Sequence, residues 1–251
     1  MLDFIKVVIL GIVEGITEWL PVSSTGHLIL VGSVLKPGLS DAFMEMFDVV
    51  IQLGAIMAVV VLYFHKLNPF SPRKSERQKM LTWQMWIKVA IASVPAAIVG
   101  LLFNDYLDAI FYKPVPVAIM LIVYGVLFII IEDKHRGKQP KVTRISQLTL
   151  KMLLWIGVFQ MLALIPGTSR SGATIVGALL IGVSRETAAE FTFFLAIPVM
   201  FGASLLKLLK FGLAFSAAEF GFLMLGCIVS FGVSIFAIKF LMGYIKQHDF
   251  K

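Results

Sequence analysis

Two glutamates four positions apart, Glu14 and Glu18, interrupt an apolar run that begins at Phe4. They are followed by Pro21, three hydroxyls (Ser23, Ser24, Thr25), Gly26 and His27. On a helix, i and i+4 share one face. Each carboxylate would cost roughly 2.5–3.5 kcal/mol at the centre of a lipid-facing helix. Pro21 disfavours helix at the residue before it, so the apolar segment must break there. A second short apolar run, Leu28 to Val34, follows the break. Irregular backbone between two apolar arms is tolerated at membrane depth only where it lines a protein cavity.

A second such break follows the apolar stretch Leu148 to Ile165. It reads Pro166-Gly167-Thr168-Ser169-Arg170-Ser171-Gly172-Ala173-Thr174 and leads into Ile175 to Ile181. With an offset of 146, Gly11 falls on Gly157, Glu14 on Gln160, Ser23 on Ser169, Ser24 on Arg170, Thr25 on Ser171 and Gly26 on Gly172. Gly54-Ala55 against Gly202-Ala203, at a slightly different offset, adds little by itself.

Brought together, the two turns would supply acid, hydroxyl, imidazole and guanidinium groups. Arg170, the hydroxyls of Ser23, Thr25, Ser169, Ser171 and Thr174, the Gly26 turn and two helix N-termini describe an anion site, and phosphate fits best. Paired carboxylates beside a phosphate commonly hold a divalent cation, Mg2+ or Ca2+, which assigns Glu14 and Glu18 as metal ligands. Ser24 or His27 would attack phosphorus, with His27 able to move the proton. Structural readings stand beside these. One glutamate in a span can serve only as a partner for Arg170, and hydroxyls before helices ordinarily cap them. Gly15, Gly26, Gly167 and Gly172 are expected in tight turns. Trp83, Trp86, Tyr106 and Tyr112 are expected as interfacial anchors, and His65, His135 and His248 as solvated loop residues.

The elements that must position these groups are membrane helices. The chain has 251 residues, of which 59% are hydrophobic, and a mean hydropathy of +0.91. Several stretches are long enough to cross a bilayer. The first apolar run lacks a basic n-region and a small-residue cleavage site, so no cleavable signal peptide is expected. The single cysteine, Cys227, cannot form an internal disulfide. The net charge of +7 resides in loops between apolar segments, which reads as topology and argues against nucleic acid as a partner.

Five spans are expected, at Phe47–Phe64, Trp86–Phe103 (kinked by Pro95), Val115–Ile131, Phe191–Leu209 and Phe220–Met242. Lys36 to Glu45 is expected as a polar loop. Basic loops carrying Lys66, Arg73, Lys74, Arg77 and Lys79, and later Lys134, Arg136, Lys138, Lys141 and Arg144 beside Glu132 and Asp133, belong in the cytoplasm. Arg185, Lys246 and Lys251 mark that same side. A short loop with Asp105 and Asp108 belongs outside. On this count the first hairpin enters from outside and the second from inside. Residues 1–131 and 148–251 are then halves of an inverted repeat within one transmembrane domain, with both turns at the midplane.

Glu-Gly-x-Thr-Glu-Trp-Leu-Pro-Val-Ser-Ser-Thr-Gly-His at 14–27 and Pro-Gly-Thr-Ser-Arg-Ser-Gly-Ala-Thr at 166–174 resemble the two signature motifs of the bacitracin-resistance family of undecaprenyl-diphosphate phosphatases. The resemblance in hydropathy extends over essentially the whole chain. It implies a multi-pass protein of the bacterial plasma membrane that removes one phosphate from undecaprenyl diphosphate, regenerating the lipid carrier of cell-wall synthesis. It also implies a divalent cation, two re-entrant hairpins, and Glu14 and Glu18 as the essential acidic pair. Ser23, Ser24, Thr25 and His27 fall on the family's first turn, and Ser169, Arg170 and Thr174 on its second. The family usually has a further hydrophobic segment beyond the position of Lys251, so a final span is expected there.

The expectation is an all-α polytopic membrane phosphatase for a polyprenyl diphosphate, facing the extracytoplasmic side, with a homodimer as a candidate assembly. Ser24, His27, Glu18 and Arg170 would be its catalytic residues. A metal-bound water or His27 remains open as the nucleophile. A transporter or flippase for a phosphorylated polyprenyl lipid is the rival, since broken helices in inverted repeats are a common transporter design. An ion channel is disfavoured, because nothing repeats as a filter.

Overall fold

The computed structural model describes residues 2–111, 113–135, 137–212 and 215–246. Tyr112, Arg136, His248 and Lys251 lie outside the described residues, as do the side chains of Asp105 and Asp108. Eleven α-helices follow one another among the described residues: α1 (Leu2–Thr17), α2 (Ser24–Leu35), α3 (Asp41–Val50), α4 (Gln52–Leu62), α5 (Phe64–Leu67), α6 (Glu76–Phe111), α7 (Pro114–His135), α8 (Leu150–Met161), α9 (Arg170–Leu180), α10 (Arg185–Phe211) and α11 (Ala217–Tyr244). The only β-pairing described is an isolated bridge between Val142 and Val183.

Among the described residues, five segments are long and apolar enough to cross a membrane: Asp41–Leu62, Glu76–Phe103, Pro114–His135, Arg185–Phe211 and Ala217–Tyr244. Each expected span lies on one of them, the first overrunning its end at Phe64. The boundaries differ for local reasons. Ser40 caps α3 by accepting from the Phe43 N–H, so Asp41 to Glu45 are helical where a loop was expected. The segment around Asp105 and Asp108 is also helical, because α6 runs on to Phe111 and Pro114 opens α7. A proline at a first helical position loses nothing, since that N–H has no partner within the helix. Glu132, expected in a basic loop, is buried near the end of α7, where it pairs with Arg185 of α10.

Close helix crossings depend on small residues, as in other membrane interiors. A Cβ on Gly54 of α4 would fall 2.1 Å from the Cys227 carbonyl oxygen of α11. One on Gly11 of α1 would fall 3.1 Å from the Gly226 carbonyl of α11, and one on Gly157 of α8 would fall 2.6 Å from the Ala92 carbonyl of α6. Gly15 belongs to the same α1–α11 seam, 2.7 Å from the Val233 Cβ by the same construction. Its helical position therefore replaces the turn expected for it. Gly202 has no neighbour within 4 Å of such a Cβ, so its sequence likeness to Gly54 has no packing counterpart.

The packing partners alternate between the two parts of the chain. The first hairpin lays α1 on α11, and the second lays α8 on α6. Helix α4 packs on α11 and α10 packs on α6, while α7 crosses the second arm of each hairpin, α2 and α9. Tyr106 and Trp83 are exposed as expected of anchors. Trp86 instead donates its indole N–H to the Leu67 carbonyl at 2.8 Å, tying α6 to the end of α5. His135 is helical, its Nδ1 bonded to the Ile131 carbonyl at 2.8 Å, and His65 is exposed on α5.

Candidate active site

The first break begins earlier than Pro21 alone demands. Helix α1 ends at Thr17, and Glu18 follows it with its N–H still bonded to the Glu14 carbonyl at 3.0 Å. The chain re-enters helix at Ser24, four residues before the expected start. The second hairpin does the same at Arg170, with Gly167 (φ 95°) turning the chain. Ser23 and Ser169, equivalent at the offset of 146, are the two N-caps, accepting from the Gly26 and Gly172 N–H groups at 3.3 and 3.0 Å. Ser23 does so at φ 63°, a region that costs a non-glycine residue about 1–3 kcal/mol and is held only where its surroundings impose it.

The two turns meet. The Ser171 hydroxyl lies 3.0 Å from the Leu20 carbonyl and 3.3 Å from the Glu18 carbonyl. Trp19, fully buried, packs edge-on to Phe193 of α10 with ring centroids 5.1 Å apart. Ser24 and Arg170 thereby stand at the first turns of two helices that converge on one place, where both positive helix ends act.

Between them lies Glu18, 6% exposed. Its Oε1 accepts from the Arg170 guanidinium at 2.6 Å, and its Oε2 accepts from the Ser24 hydroxyl. Arg170 also donates to the Thr192 carbonyl at 3.2 Å. A hydroxyl, a carboxylate and a guanidinium are thus linked in series, an arrangement able to activate a hydroxyl. Glu14, fully buried one turn earlier, accepts no hydrogen bond at either oxygen, and Glu18 and Asp48 lie within electrostatic reach of it.

A cavity of about 580 Å³ opens against this cluster. Its polar lining includes Glu18, Ser23, Ser24, Thr25, Ser169, Arg170 and Ser171. Its apolar walls come from the C-terminal halves of α6 and α10, among them Ala96, Gly100, Leu101, Ala203 and Leu206. Four residues assigned from sequence do not line it: Glu14, one turn before Glu18, and Gly26, His27 and Thr174. The Thr174 hydroxyl is spent on the Arg170 and Ser171 carbonyls and on Thr192, locking α9 to α10. Gly26 faces α7, where a Cβ would meet Leu121. His27 bonds its Nδ1 to the Ser23 carbonyl at 2.8 Å. A carbonyl only accepts, so Nδ1 bears the proton and Nε2 is the basic nitrogen.

The structure adds lining groups to which the sequence assigned no role. Gln52, just past the α3–α4 junction, reaches the Thr25 hydroxyl at 3.5 Å. Its signal was a lone amide inside an apolar span. Gln160 and Thr168 line the cavity from the second hairpin, and Lys207 and Lys210 line it at the end of α10.

With this geometry in view, comparison with known proteins decides the kinship. Residues 7–251 match the family described as Bacitracin resistance protein BacA. The chain belongs to that family. It is 64% identical over 251 residues to the undecaprenyl-diphosphatase of Acetivibrio thermocellus, covering all of this chain and 92% of that protein. It is 62% identical over 248 residues to the undecaprenyl-diphosphatase of Enterococcus faecalis, covering 98% and 90%. The Lactococcus lactis undecaprenyl-diphosphatase is 60% identical over 259 residues, covering 99% and 91%. The two motifs on which the sequence resembled this family are the two turns that meet at Glu18.

A divalent cation fits one part of the site. Glu14 offers two buried oxygens that accept no hydrogen bond, beside a second carboxylate. No group of three or more His, Cys, Asp or Glu residues suited to a metal forms among the described residues. One or two carboxylates completed by substrate phosphate oxygens and water is how Mg2+ is usually held.

Proposed function

We propose that this chain hydrolyses undecaprenyl diphosphate to undecaprenyl phosphate, the activity for which its relatives are named. One observation carries the mechanism: Ser24, Glu18 and Arg170 are bonded in series where two helix N-termini meet a cavity with one polar end and apolar walls. The terminal phosphate occupies the polar end and the prenyl chain lies along the walls. Glu18 takes the Ser24 proton as Oγ attacks the terminal phosphorus. The bond from phosphorus to the bridging oxygen breaks, and undecaprenyl phosphate leaves. Water then cleaves the phosphoserine, releasing inorganic phosphate. Arg170 and the helix ends stabilise charge on the transferring phosphoryl oxygens. A cation held by Glu14, with Glu18, would supply further charge neutralisation when bound. His27, off the cavity, orients the Ser23 turn through the bond from its Nδ1–H to the Ser23 carbonyl. Detergent-solubilised protein has no compartments to transport between, so inorganic phosphate released there from undecaprenyl diphosphate with Mg2+ or Ca2+ is the expected result. Its absence in well-folded protein would reject the phosphatase reading in favour of transport.

The inverted repeat belongs to the same proposal. The alternating pairs α1–α11 and α8–α6, and the equivalent caps Ser23 and Ser169, support it. We further place the protein in the plasma membrane with the cavity facing outward. Helices α6 and α10 both start at the basic end of the bundle, and the cavity lies along their other halves. A cysteine at Thr25 in a Cys227→Ser background is expected to react with a membrane-impermeant thiol reagent on intact cells. Reaction only in inverted vesicles would reverse the orientation.

A further inference from the structure

The second hairpin contributes two buried polar side chains that no described residue satisfies. Gln160, at the end of α8, is 1% exposed, and neither its amide oxygen nor its amide nitrogen has a hydrogen-bond partner. Thr168, in the turn before Arg170, is 4% exposed, and its hydroxyl is likewise without one. Both line the cavity that Ser24 and Arg170 line. Buried polar groups are almost always hydrogen-bonded, and a buried amide retained without a partner points to one supplied from outside the chain.

The chemistry of that partner follows from the donors. A glutamine amide presents two N–H donors and a hydroxyl presents one. The cavity around them already carries Arg170 and the N-termini of α2 and α9, all favourable to an anion. The equivalent position of the first hairpin, Glu14, offers only acceptors. One arm thus presents unmet acceptors suited to a cation, and the other unmet donors suited to an anion beside one unmet amide oxygen. A neutral amide adds donors without adding a charge that would form an ion pair with Glu18 or Arg170.

We propose that Gln160 and Thr168 form a neutral donor subsite that binds phosphate oxygens of the diphosphate head group and positions it against Ser24. This rests on the phosphatase reading for the identity of the substrate, and extends it to residues outside the acid–arginine cluster.

The test uses the whole 251-residue chain in detergent with Mg2+, farnesyl diphosphate as soluble substrate and inorganic diphosphate as a non-prenylated probe. Gln160→Met keeps length and volume and removes the polar atoms. Expected is a KM raised about tenfold or more, the worth of a hydrogen bond to a charged group. The thermal midpoint should be unchanged or higher, because an unpaired buried amide has gone. Stabilisation by inorganic diphosphate, read from that midpoint, should weaken in parallel. Thr168→Val should act in the same direction, and stands in if the methionine variant does not fold. Unchanged KM and unchanged diphosphate stabilisation in both variants would overturn the subsite and leave the amide meeting only water. A lowered midpoint with unchanged KM would make it structural and overturn the subsite equally. Absence of turnover in the parent chain would strike the phosphatase reading instead, and diphosphate binding would still decide the subsite.

Discussion

Arg170→Lys is expected to lower the rate of phosphate release by about 100–1000-fold while the protein stays folded, the loss seen when one preorganised transition-state donor is removed. Charge is retained, so the effect isolates geometry. The Arg170 guanidinium spends one nitrogen on Glu18 at 2.6 Å and another on the Thr192 carbonyl at 3.2 Å. Its planar fork still presents N–H groups for a phosphate beside that pair. Lysine is a point charge whose ammonium can pair with Glu18 or approach phosphate, without holding both in fixed register. The pair is mostly buried, with side-chain exposures of 12% and 6%. Arg170→Ala would therefore strand the Glu18 charge, at about 3–5 kcal/mol of stability, and confuse folding with catalysis. Lysine avoids that. The measurement is kcat and KM with undecaprenyl diphosphate at saturating cation, with the thermal midpoint as a check on folding. Near-normal turnover would reduce Arg170 to a structural partner of Glu18.

The sequence was informative where local chemistry decides structure. Breaks in apolar runs at Pro21 and Pro166 located both turns, and the offset of 146 paired Ser23 with Ser169, which turn out to be the two caps. Boundaries were less legible, because caps and continuations override composition. The Ser23 and Ser169 hydroxyls start α2 and α9 earlier than the apolar runs do, and α6 carries its acidic residues on into helix. Contacts between distant segments were legible only by type. An acid, a hydroxyl and an arginine were expected together, but that Glu18 bonds both Ser24 and Arg170 depends on how Ser171 and Trp19 join the hairpins. Thr174 shares a helix face with Arg170, yet one turn further along α9 its hydroxyl is taken up by Thr192 and by carbonyls of its own helix and does not line the cavity. Gln160 was visible only as the partner of Glu14 in the repeat. Nothing in an isolated glutamine says that its amide will be buried unmet.

Glu14→Gln tests the other carboxyl group in the site. Glu14 is fully buried, neither oxygen accepts a hydrogen bond, and Glu18 and Asp48 stand close enough to repel it. Such a carboxylate is expensive unless a cation accompanies it. Two measurable consequences follow. Added Mg2+ or Ca2+ should raise the thermal midpoint of the parent chain, because a ligand that binds only the folded state stabilises it by mass action. In Glu14→Gln that rise should largely vanish, since the amide keeps one weak oxygen ligand and loses the charge that attracts a hard cation. In chelator, by contrast, the variant should match or exceed the parent in stability, having lost one of several neighbouring buried acids. The cation concentration for half-maximal phosphate release should rise about tenfold or more, one ligand's worth of affinity. Glu18→Gln should differ in kind: it also removes the acceptor of the Ser24 proton, so its rate should stay low however much cation is added. A Glu14→Gln protein with an unchanged cation response in both stability and turnover would remove the carboxylate from any metal site. Glu14 would then be a proton-holding or packing residue, and the cation would have to bind through the substrate alone.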